Sequence, residues 1–420
     1  MTGRMTNWAG NVRYGARRLH RPGSVAQLQQ LVADAERVRA VGSGHSFNRF
    51  VDSPGDLVSL ADLPPVMDID SERHAVTVAA GVRYGELAQR LHLAGYALAN
   101  LASLPHISVG GAVATGTHGS GDHVGSMAGA VSAVEQIGPD GQLVTVTRDS
   151  DRFDGYVVGL GALGIVTRLT LDLVPPFEIR QYVYDDLPLT QLDRHFADIL
   201  GSAYSVSLFT DWTGPRIHQL WRKVRVDQPN PWRPVPDWLD ATPADGPRHP
   251  IAGLPASSCT EQLGRPGPWH LRLPHFRPGY TPSSGAELQS EYLLPREHAV
   301  EALAALDRIR DRIAPVLQIC EIRTVAADRL WLSPSHGRDS AAFHFTWVPD
   351  GPAVARVLAA IEEALAPFGA RPHWGKVFGT PPGVVAELYP RYDDFRALRR
   401  DLDPSGKFGN HLLDRYFPRG

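Results

Sequence analysis

The sequence predicts an α+β protein of two domains, and three observations lead to that prediction. The chain has 420 residues, which exceeds the usual size of one domain. Short strand and helix patterns alternate up to residue 175, where Pro175 and Pro176 mark a boundary. Long strand patterns dominate from 176 to 400, which favours an antiparallel sheet covered by helices on one side. We expect residues 1–175 to form the first domain, with 401–420 returning to it, and residues 176–400 to form the second.

The first domain contains two predicted helices and six predicted strands. Ser24 to Gln27 is a capping-box pattern, and apolar residues follow it at helical spacing, which predicts a helix over 24–37. A second helix is predicted at Glu86–Leu93, where Gly95 stops it. The predicted strands are Val38–Val41, Leu57–Leu60, Val76–Val82, Val131–Ile137, Leu143–Thr147 and Ile165–Val174.

The second domain has a different texture. Two amphipathic helices are predicted, near 296–313 and 353–367. Residues 227–256 contain eight prolines and little periodicity, and they are predicted to form an ordered surface loop. Four long strands are predicted, at Tyr204–Trp212, Ala286–Leu294, Val316–Thr324 and Ala341–Trp347.

Composition excludes several classes of protein. The formal net charge of −3 gives no reason to expect a nucleic-acid partner. Cys259 and Cys320 are the only cysteines, which excludes a disulfide framework, and with no metal-binding His or Cys motif no metal is predicted. No signal-peptide core is present, and no run approaches the roughly 18 apolar residues of a membrane span. We expect a soluble, cytoplasmic, monomeric protein.

Glycine-rich segments are the first candidates for a binding site. Gly159–Gly164 matches the dinucleotide fingerprint by letter, but a strand pattern follows it where the fingerprint requires a helix. The loops at 42–48 and 110–121 are better candidates, because glycine allows successive N–H groups to converge on an anion. Neither loop has a lysine at Walker spacing, which argues against a P-loop NTPase. The two loops could hold the two phosphates of FAD, or they could be simple tight turns.

Histidines in and near these loops add to the hypothesis. His45 lies between Gly44 and Ser46, where a flat ring could approach it and its nitrogen could attack an activated carbon. An ordinary surface histidine is the alternative. We expect a structural or cofactor-contact role for His118 and a surface position for His123.

The second domain places polar residues at strand spacing. Glu321 and Arg323 share one strand face, and so do His344 and Thr346. Glu287, Gln289 and Glu291 share a face of a third strand. Such a surface is either solvated or a site for a polar ligand, and a polyol would suit it because each hydroxyl both donates and accepts.

The glycine-rich segments of the first domain resemble those of a known family. The segment Gly42–Ser46 and the stretch up to Gly121 resemble the vanillyl-alcohol-oxidase-type FAD-linked oxidases, and more narrowly the bacterial alditol oxidases, also called xylitol oxidases. The resemblance spans nearly the whole chain, and its matching segments are 6–10, 102–121, 204–212, 281–292, 316–328, 344–347, 367–377 and 403–408.

The resemblance implies a two-domain FAD-linked oxidase fold and FAD bound covalently through His45. It implies a cofactor site that consists of Gly42, Ser43, Gly44, His45, Ser46, Phe47, Ser103, Ser108, Gly111, Ala112, Val113, Ala114, Thr115, Gly161, Gly164, Ile165 and Lys376. It implies a substrate site that consists of Ser103, Gln289, Glu321, Arg323, His344, Thr346 and Lys376.

The implied reaction is oxidation of the terminal hydroxyl of an alditol, such as xylitol or sorbitol, to the aldose, with oxygen reduced to hydrogen peroxide. Arg323 and Lys376 would stabilise negative charge on the reacting oxygen, and His344 would assist proton removal. Glu321 would hold Arg323. The alternatives are a sugar-lactone oxidase and a noncatalytic protein that binds FAD or a polyol. Phe343, the residues after Phe408 and the 227–256 loop depart from the family pattern, which leaves chain-length preference open.

Overall fold

The computed structural model describes residues 5–228, 238–280 and 285–419. Two sheets occupy its first part. One is a parallel sheet of three strands in the order β1-β3-β2, and the other is an antiparallel sheet in the order β4-β5-β8-β6-β7. The elements are β1 Arg18–His20, α1 Val25–Asp34, β2 Val38–Val41, β3 Asp56–Ser59, β4 Met67–Asp70, β5 Ala75–Ala79, α2 Tyr84–Leu93, α3 Val109–Ala114, β6 Val131–Ile137, β7 Leu143–Thr147, α4 Phe153–Val157 and β8 Ile165–Asp172.

One large antiparallel sheet dominates the second part. Its strand order is β12-β9-β11-β10-β15-β16-β14-β17, and β13 also pairs with β9. The elements are β9 Glu178–Pro188, α5 Leu192–Leu200, β10 Ser205–Thr210, β11 Arg216–Arg225, β12 Thr242–Pro243, β13 Gly267–Pro268, β14 Leu288–Pro295, α6 Ala299–Asp307, α7 Arg310–Ile313, β15 Leu317–Val325, β16 Ser340–Trp347, α8 Gly351–Leu365, β17 Arg371–Pro372, α9 Pro382–Leu388, α10 Tyr392–Leu402 and α11 His411–Tyr416. The predicted α+β class is confirmed.

Strand alternation separates the two faces of the large sheet. Leu208, Ile322 and Phe343 lie on the face covered by α5, α6 and α8, where they share a core with Phe196 and Ile361. The neighbouring residues along β14, β15 and β16 point to the other face. Phe343 therefore lies in the helix-side core, away from the polar face that carries His344.

The C-terminal segment packs against the beginning of the chain. The backbone N–H of Val38 donates to the carbonyl oxygen of Lys407 at 3.0 Å, and Arg39 donates to the carbonyl oxygen of Phe408. Val385 and Phe395 already belong to the core that contains Leu87. The predicted return to the first domain starts at residue 401, but residues before 401 already pack against the first part of the chain.

Several element boundaries differ from the prediction. The helix predicted over 24–37 ends at Asp34, because Ala35 is extended with φ −74° and ψ 136°. The helix predicted near 296–313 is interrupted between α6 and α7, where Ile309 leaves helical geometry with φ −112° and ψ 16°. The strand predicted at 165–174 ends at Asp172. β8 directly follows Gly164, which confirms that no helix follows the glycines at 159–164.

The predicted loop at 227–256 falls partly on residues 229–237, which lie outside the described residues. In its described remainder, Pro250 and Ile251 line the cavity of the candidate active site. These two residues therefore face a cavity, whereas the sequence predicts that the whole segment lies on the surface. No helix in the described part of the chain is long and apolar enough to cross a membrane.

Candidate active site

One cavity joins the glycine loops to the polar face of the large sheet. The first loop follows β2, and Gly44 adopts a left-handed conformation with φ 71°. The second predicted loop, at 110–121, begins inside α3 instead of preceding it, and a Cβ atom on Gly42 would overlap Ser108 Oγ at the start of that helix. The two segments therefore approach each other so closely that position 42 tolerates no side chain.

The ring of His45 lies in this cavity between aromatic neighbours. Its centroid is 4.4 Å from the ring of Trp8 and 5.4 Å from that of His106. Both ring nitrogens are buried and have no hydrogen-bond partner among the described residues. Burial is the main cause that lowers the pKa of His45 to about 3, and the positive charges of His106 and Lys376 lower it further. The ring is thus neutral at physiological pH, and one nitrogen keeps a free lone pair.

Glu291 is the centre of a polar cluster that lines the same cavity. Its carboxylate accepts hydrogen bonds of 2.6 Å from Lys376 Nζ and of 2.6 Å from Arg323, and His118 Nε2 lies 3.2 Å away. Burial alone raises the pKa of Glu291, but Lys376, His118 and Arg323 outweigh it and hold this pKa well below its ordinary value. The cluster combines one buried anion with two basic side chains.

His344 is oriented by this cluster. Its Nδ1 atom is 2.7 Å from Lys376 Nζ and 3.5 Å from Arg323, and Nε2 is 3.3 Å from Thr346 Oγ1. Because an ammonium group only donates, Nδ1 accepts and Nε2 carries the proton when Lys376 is charged. Burial, then Lys376, lowers the pKa of His344 well below its ordinary value, and burial also lowers the pKa of Lys376.

The partner of Arg323 differs from the prediction. Arg323 donates to Glu291 at 2.6 Å, whereas its Nε lies 3.6 Å from Glu321 Oε1. The reason is the register of the sheet, in which Arg323 pairs with the small Ala342 and can cross β16 to reach β14. Glu291, rather than Glu321, is the main partner of Arg323.

Most residues of the predicted site line the cavity. Ser103 Oγ lies 3.5 Å from Arg323, and Gln289 is buried and donates to Glu287 at 2.6 Å. The cavity-lining residues that were predicted are Gly42, Ser43, Gly44, His45, Ser46, Ser103, Ser108, Gly111, Ala112, Val113, Ala114, Thr115, Gly161, Gly164, Gln289, Glu321, Arg323, His344, Thr346 and Lys376.

Two predicted cavity residues lie elsewhere. Phe47 packs into the helix-side core of the large sheet, although its N–H donates to the carbonyl oxygen of Gly375 at 2.7 Å. Ile165 packs against Ile137 beside α1, because alternation along β8 turns Val166 to the cavity instead. Neither side chain lines the cavity.

Sequence reasoning missed several residues that the structure brings to the cavity. Glu291 carried a signal, since it shares a strand face with Gln289. His275 carried none, because it lies in an irregular segment after a proline. The cavity-lining residues that belong to neither predicted site include His275, Glu291 and His373, and His118, expected to be structural or to contact the cofactor, lines the cavity as well.

Comparisons with known proteins locate the chain in a family. A model described as FAD binding domain matches residues 16–147, and a model described as D-arabinono-1,4-lactone oxidase matches residues 286–416. The chain is 54% identical over 416 residues to the alditol oxidase of a Streptomyces species, a match that covers 98% of this chain and 99% of that one. The chain belongs to the vanillyl-alcohol-oxidase-type family of FAD-linked oxidases.

One further relative and one solved structure are similar to this FAD-linked oxidase. It is 29% identical to the L-gulono-1,4-lactone dehydrogenase of Mycobacterium tuberculosis, with 98% of each chain covered. The crystal structure of a cholesterol oxidase from B. sterolicum superposes with a TM-score of 0.81 at 16% identity, covering 99% of this chain and 96% of that one. The second likeness shows the fold alone.

The residues of this FAD-linked oxidase fit its cofactor. Ser108 Oγ is buried between the two loops and lacks a hydrogen-bond partner among the described residues, as do both nitrogens of His45. Buried polar atoms without partners are rare in native proteins, because each costs about 1–3 kcal/mol. Their common position in one cavity suits a ligand that carries its own polar atoms.

Proposed function

We propose that this FAD-linked oxidase converts the terminal hydroxyl of an alditol such as xylitol or sorbitol to the aldose, with oxygen reduced to hydrogen peroxide. The observation that carries the proposal is one cavity lined both by His45 and by the Glu291 cluster. The name of the Streptomyces relative, alditol oxidase, supports the same substrate class. Residues 1–175 and the C-terminal return would bind FAD, and the large sheet would bind the alditol.

The FAD would be attached covalently to His45. A ring nitrogen of His45 would bond to the flavin 8α carbon with loss of one proton from each partner, and oxygen would take up the two electrons as hydrogen peroxide. His45 supports this step because its ring is neutral, buried and without a hydrogen-bond partner among the described residues. An imidazolyl substituent withdraws electrons, so it should raise the flavin potential.

The polar cluster would bind and activate the substrate. Bound FAD supplies a hydride acceptor. Arg323 presents a fixed positive charge that would stabilise an alkoxide developing on the reacting oxygen, and Lys376 would add a second charge when it is protonated. His344 would assist removal of the hydroxyl proton through Nδ1, which is free to accept that proton only when Lys376, 2.7 Å away, is neutral. Burial favours this neutral form because it lowers the pKa of Lys376. Ser103, Gln289, Thr346 and Glu321 contact the remaining hydroxyls.

Acid precipitation tests the cofactor proposal. Purified protein, His45→Ala and the exposed control His123→Ala are denatured in acid, and the pellet and supernatant are examined for flavin. We expect yellow pellets for the wild type and for His123→Ala, and a colourless pellet for His45→Ala. Flavin confined to the wild-type supernatant would overturn the covalent link and leave a flavoprotein.

Substrate oxidation tests the reaction. We expect hydrogen peroxide formation and anaerobic bleaching of the flavin with xylitol or sorbitol, and slower turnover of L-gulono-1,4-lactone. The lactone is included because the 286–416 family model and the mycobacterial relative bear lactone names. Faster turnover of the lactone would assign the protein to the lactone oxidases, and absence of bleaching with both would indicate a noncatalytic binding protein.

A further inference from the structure

A buried chain of hydrogen bonds leads away from the cavity behind Glu321. His275 Nε2 lies 2.7 Å from Glu321 Oε1, and Lys223 Nζ lies 3.0 Å from His275 Nδ1. Lys223 also donates to the carbonyl oxygens of Leu273 and Pro274. Lys223, His275 and Glu321 are 1%, 5% and 6% exposed, so water does not compete for these contacts.

The direction of each hydrogen bond in this chain is fixed from both ends. Burial alone raises the pKa of Glu321, but Arg323 and His275 outweigh it, so the carboxylate stays ionised and can only accept. At the other end, burial lowers the pKa of Lys223 to about 7, and in its charged form the ammonium group can only donate. His275 therefore accepts at Nδ1 and donates from Nε2, as a neutral ring with one proton. Ser207 Oγ, 3.5 Å from the same Nε2, is a more distant neighbour.

This arrangement divides the two oxygens of Glu321 between different partners. Its polar contacts among the described residues, with His275 and with Arg323, use Oε1. Oε2 makes no hydrogen bond to the described residues, and Glu321 lines the cavity. A carboxylate whose first oxygen is held in place presents its second oxygen to a ligand as an acceptor of fixed position.

We propose that Lys223 and His275 are positioning residues that hold Glu321 as an acceptor for one hydroxyl of the substrate and thereby select ligands with a hydroxyl hydrogen at that point. The proposal rests on the proposed alditol oxidation and adds to it a specificity element that begins at His275 in the cavity wall and ends at Lys223, which does not line the cavity. Lys223 touches neither substrate nor cofactor, because His275 stands between it and Glu321. Its effect on the reaction passes entirely through Glu321.

Three variants separate positioning from structural support. His275→Phe keeps a ring but breaks the chain, and Lys223→Met removes the donor at its end. His275→Gln restores the polarity, because its amide oxygen accepts from Lys223 while its NH2 group donates to Glu321. Lys407→Met is the matched control, since Lys407 is also a buried lysine that donates to two backbone carbonyls, those of Val32 and Ala33, and does not line the cavity.

Kinetics with xylitol and its monodeoxy analogues measure the effect. We expect His275→Phe and Lys223→Met to raise KM for xylitol about tenfold, with kcat nearly unchanged. His275→Gln and Lys407→Met should keep KM near the wild-type value. The wild type should discriminate against the one deoxy analogue that lacks the hydroxyl bound by Glu321, and the two disruptive variants should lose that discrimination. Unchanged KM and unchanged discrimination in both would overturn the proposal.

A substrate-independent measurement separates this proposal from the proposed function. Nitrogen-15 spectra of histidine-labelled holoprotein should show His275 protonated at Nε2 only. Lys223→Met should keep the Nε2 proton, which Glu321 binds, but should shift the Nδ1 resonance because that nitrogen loses its hydrogen-bond donor. His275→Gln identifies the signal by its loss. A wild type that fails to oxidise alditols contradicts the proposed function whatever this spectrum shows. A wild-type His275 protonated at Nδ1 contradicts the present proposal even if alditols are oxidised. This test uses the wild-type protein, so it remains valid if His275→Phe does not fold.

Discussion

Glu291 shows how much a single buried carboxylate can determine. It is 1% exposed, yet it remains ionised because Lys376, Arg323 and His118 surround it. Removing one member of a buried ion cluster leaves the other charges without compensation in a medium that solvates them poorly. The same residue therefore positions the cluster and makes the burial of its two cations tolerable.

Substitution of Glu291 should therefore affect both stability and activity. Glu291→Gln leaves Lys376 without an anionic partner and Arg323 with only Glu321, 3.6 Å away, and we expect the free energy of unfolding to fall by about 3–5 kcal/mol. Alditol turnover should fall with it, because both cations lose their fixed positions. Chemical denaturation and steady-state peroxide assays measure the two effects.

A surface ion pair supplies the control for that substitution. Arg148 and Asp172 are 2.8 Å apart, with about half of each side chain exposed. Asp172→Asn should change stability by less than about 1 kcal/mol and leave turnover intact. An equal loss of stability in Glu291→Gln and Asp172→Asn would contradict the central role of Glu291.

At the scale of elements, the second glycine loop depends on close packing of α3 against the end of β5. A Cβ atom on Gly110 would lie 2.8 Å from the Cβ atom of Ala80 and 3.2 Å from its carbonyl oxygen. The Gly110 N–H also donates to that oxygen at 2.9 Å. The helix can lie at this depth only because position 110 has no side chain.

Gly110→Ala should therefore move α3 away from β5 and distort the loop that faces the cavity. We expect a stability loss of about 1–3 kcal/mol and a lower fraction of bound FAD, measured by the absorbance ratio of flavin to protein. Gly129→Ala is the matched control, because its Cβ atom would meet nothing within 4 Å. Identical flavin content in Gly110→Ala and the wild type would contradict this account of the loop.

Elements that depend on local pattern could be predicted from the sequence, and those that depend on tertiary geometry could not. Alternation along β15 and β16 correctly placed Glu321 beside Arg323 and His344 beside Thr346, because strand periodicity is local. The salt bridge from Arg323 to Glu291 crosses β16 and depends on register, which the pattern does not contain. For the same reason, no pattern could show that His275 would reach Glu321.

At the scale of the whole molecule, several buried histidines must remain neutral. Burial is the main cause that lowers the pKa of His275 and His270 to about 4 and of His373 to about 3. Below about pH 6.5 the unfolded chain takes up protons at these rings while the folded protein does not. The free energy of unfolding should therefore fall as the pH drops from about 6.5 towards 4.

The thermal midpoint at pH 7.5 and at pH 5.5 measures this effect. This window lies above the titration of the unfolded carboxyl groups, so Glu291 and Glu321, whose lowered pKa values stabilise the fold above about pH 4.5, do not contribute to the change. Each fully buried ring should lower the stability of the wild type by up to about 1 kcal/mol per pH unit on acidification. Asp328 opposes this loss, because its pKa is raised to about 6 in the folded protein, which therefore takes up a proton that the unfolded chain does not. Lys223 adds to the loss, because its pKa is lowered to about 7 in the folded protein whereas the unfolded chain already carries that proton.

One substitution isolates the contribution of a single ring. His373→Asn keeps an acceptor for the Gly375 N–H, now bound at 3.1 Å by His373 Nδ1, but cannot titrate. We expect a smaller decrease of the midpoint in His373→Asn and a wild-type decrease in the exposed control His123→Asn. A wild-type decrease in both variants would assign the acid sensitivity to other groups.

The return of the C-terminal segment to β2 has a consequence for synthesis of the protein. Domains commonly fold in order as they leave the ribosome, the N-terminal one first. Here Val38 and Arg39, on the strand that leads into the first glycine loop, bond to Lys407 and Phe408, and Arg39 is separated from Phe408 by 369 positions in the chain. The N-terminal part therefore gains these contacts only after residues 407 and 408 have been translated. Nascent chains that stall before residue 407 lack part of the support for their first loop.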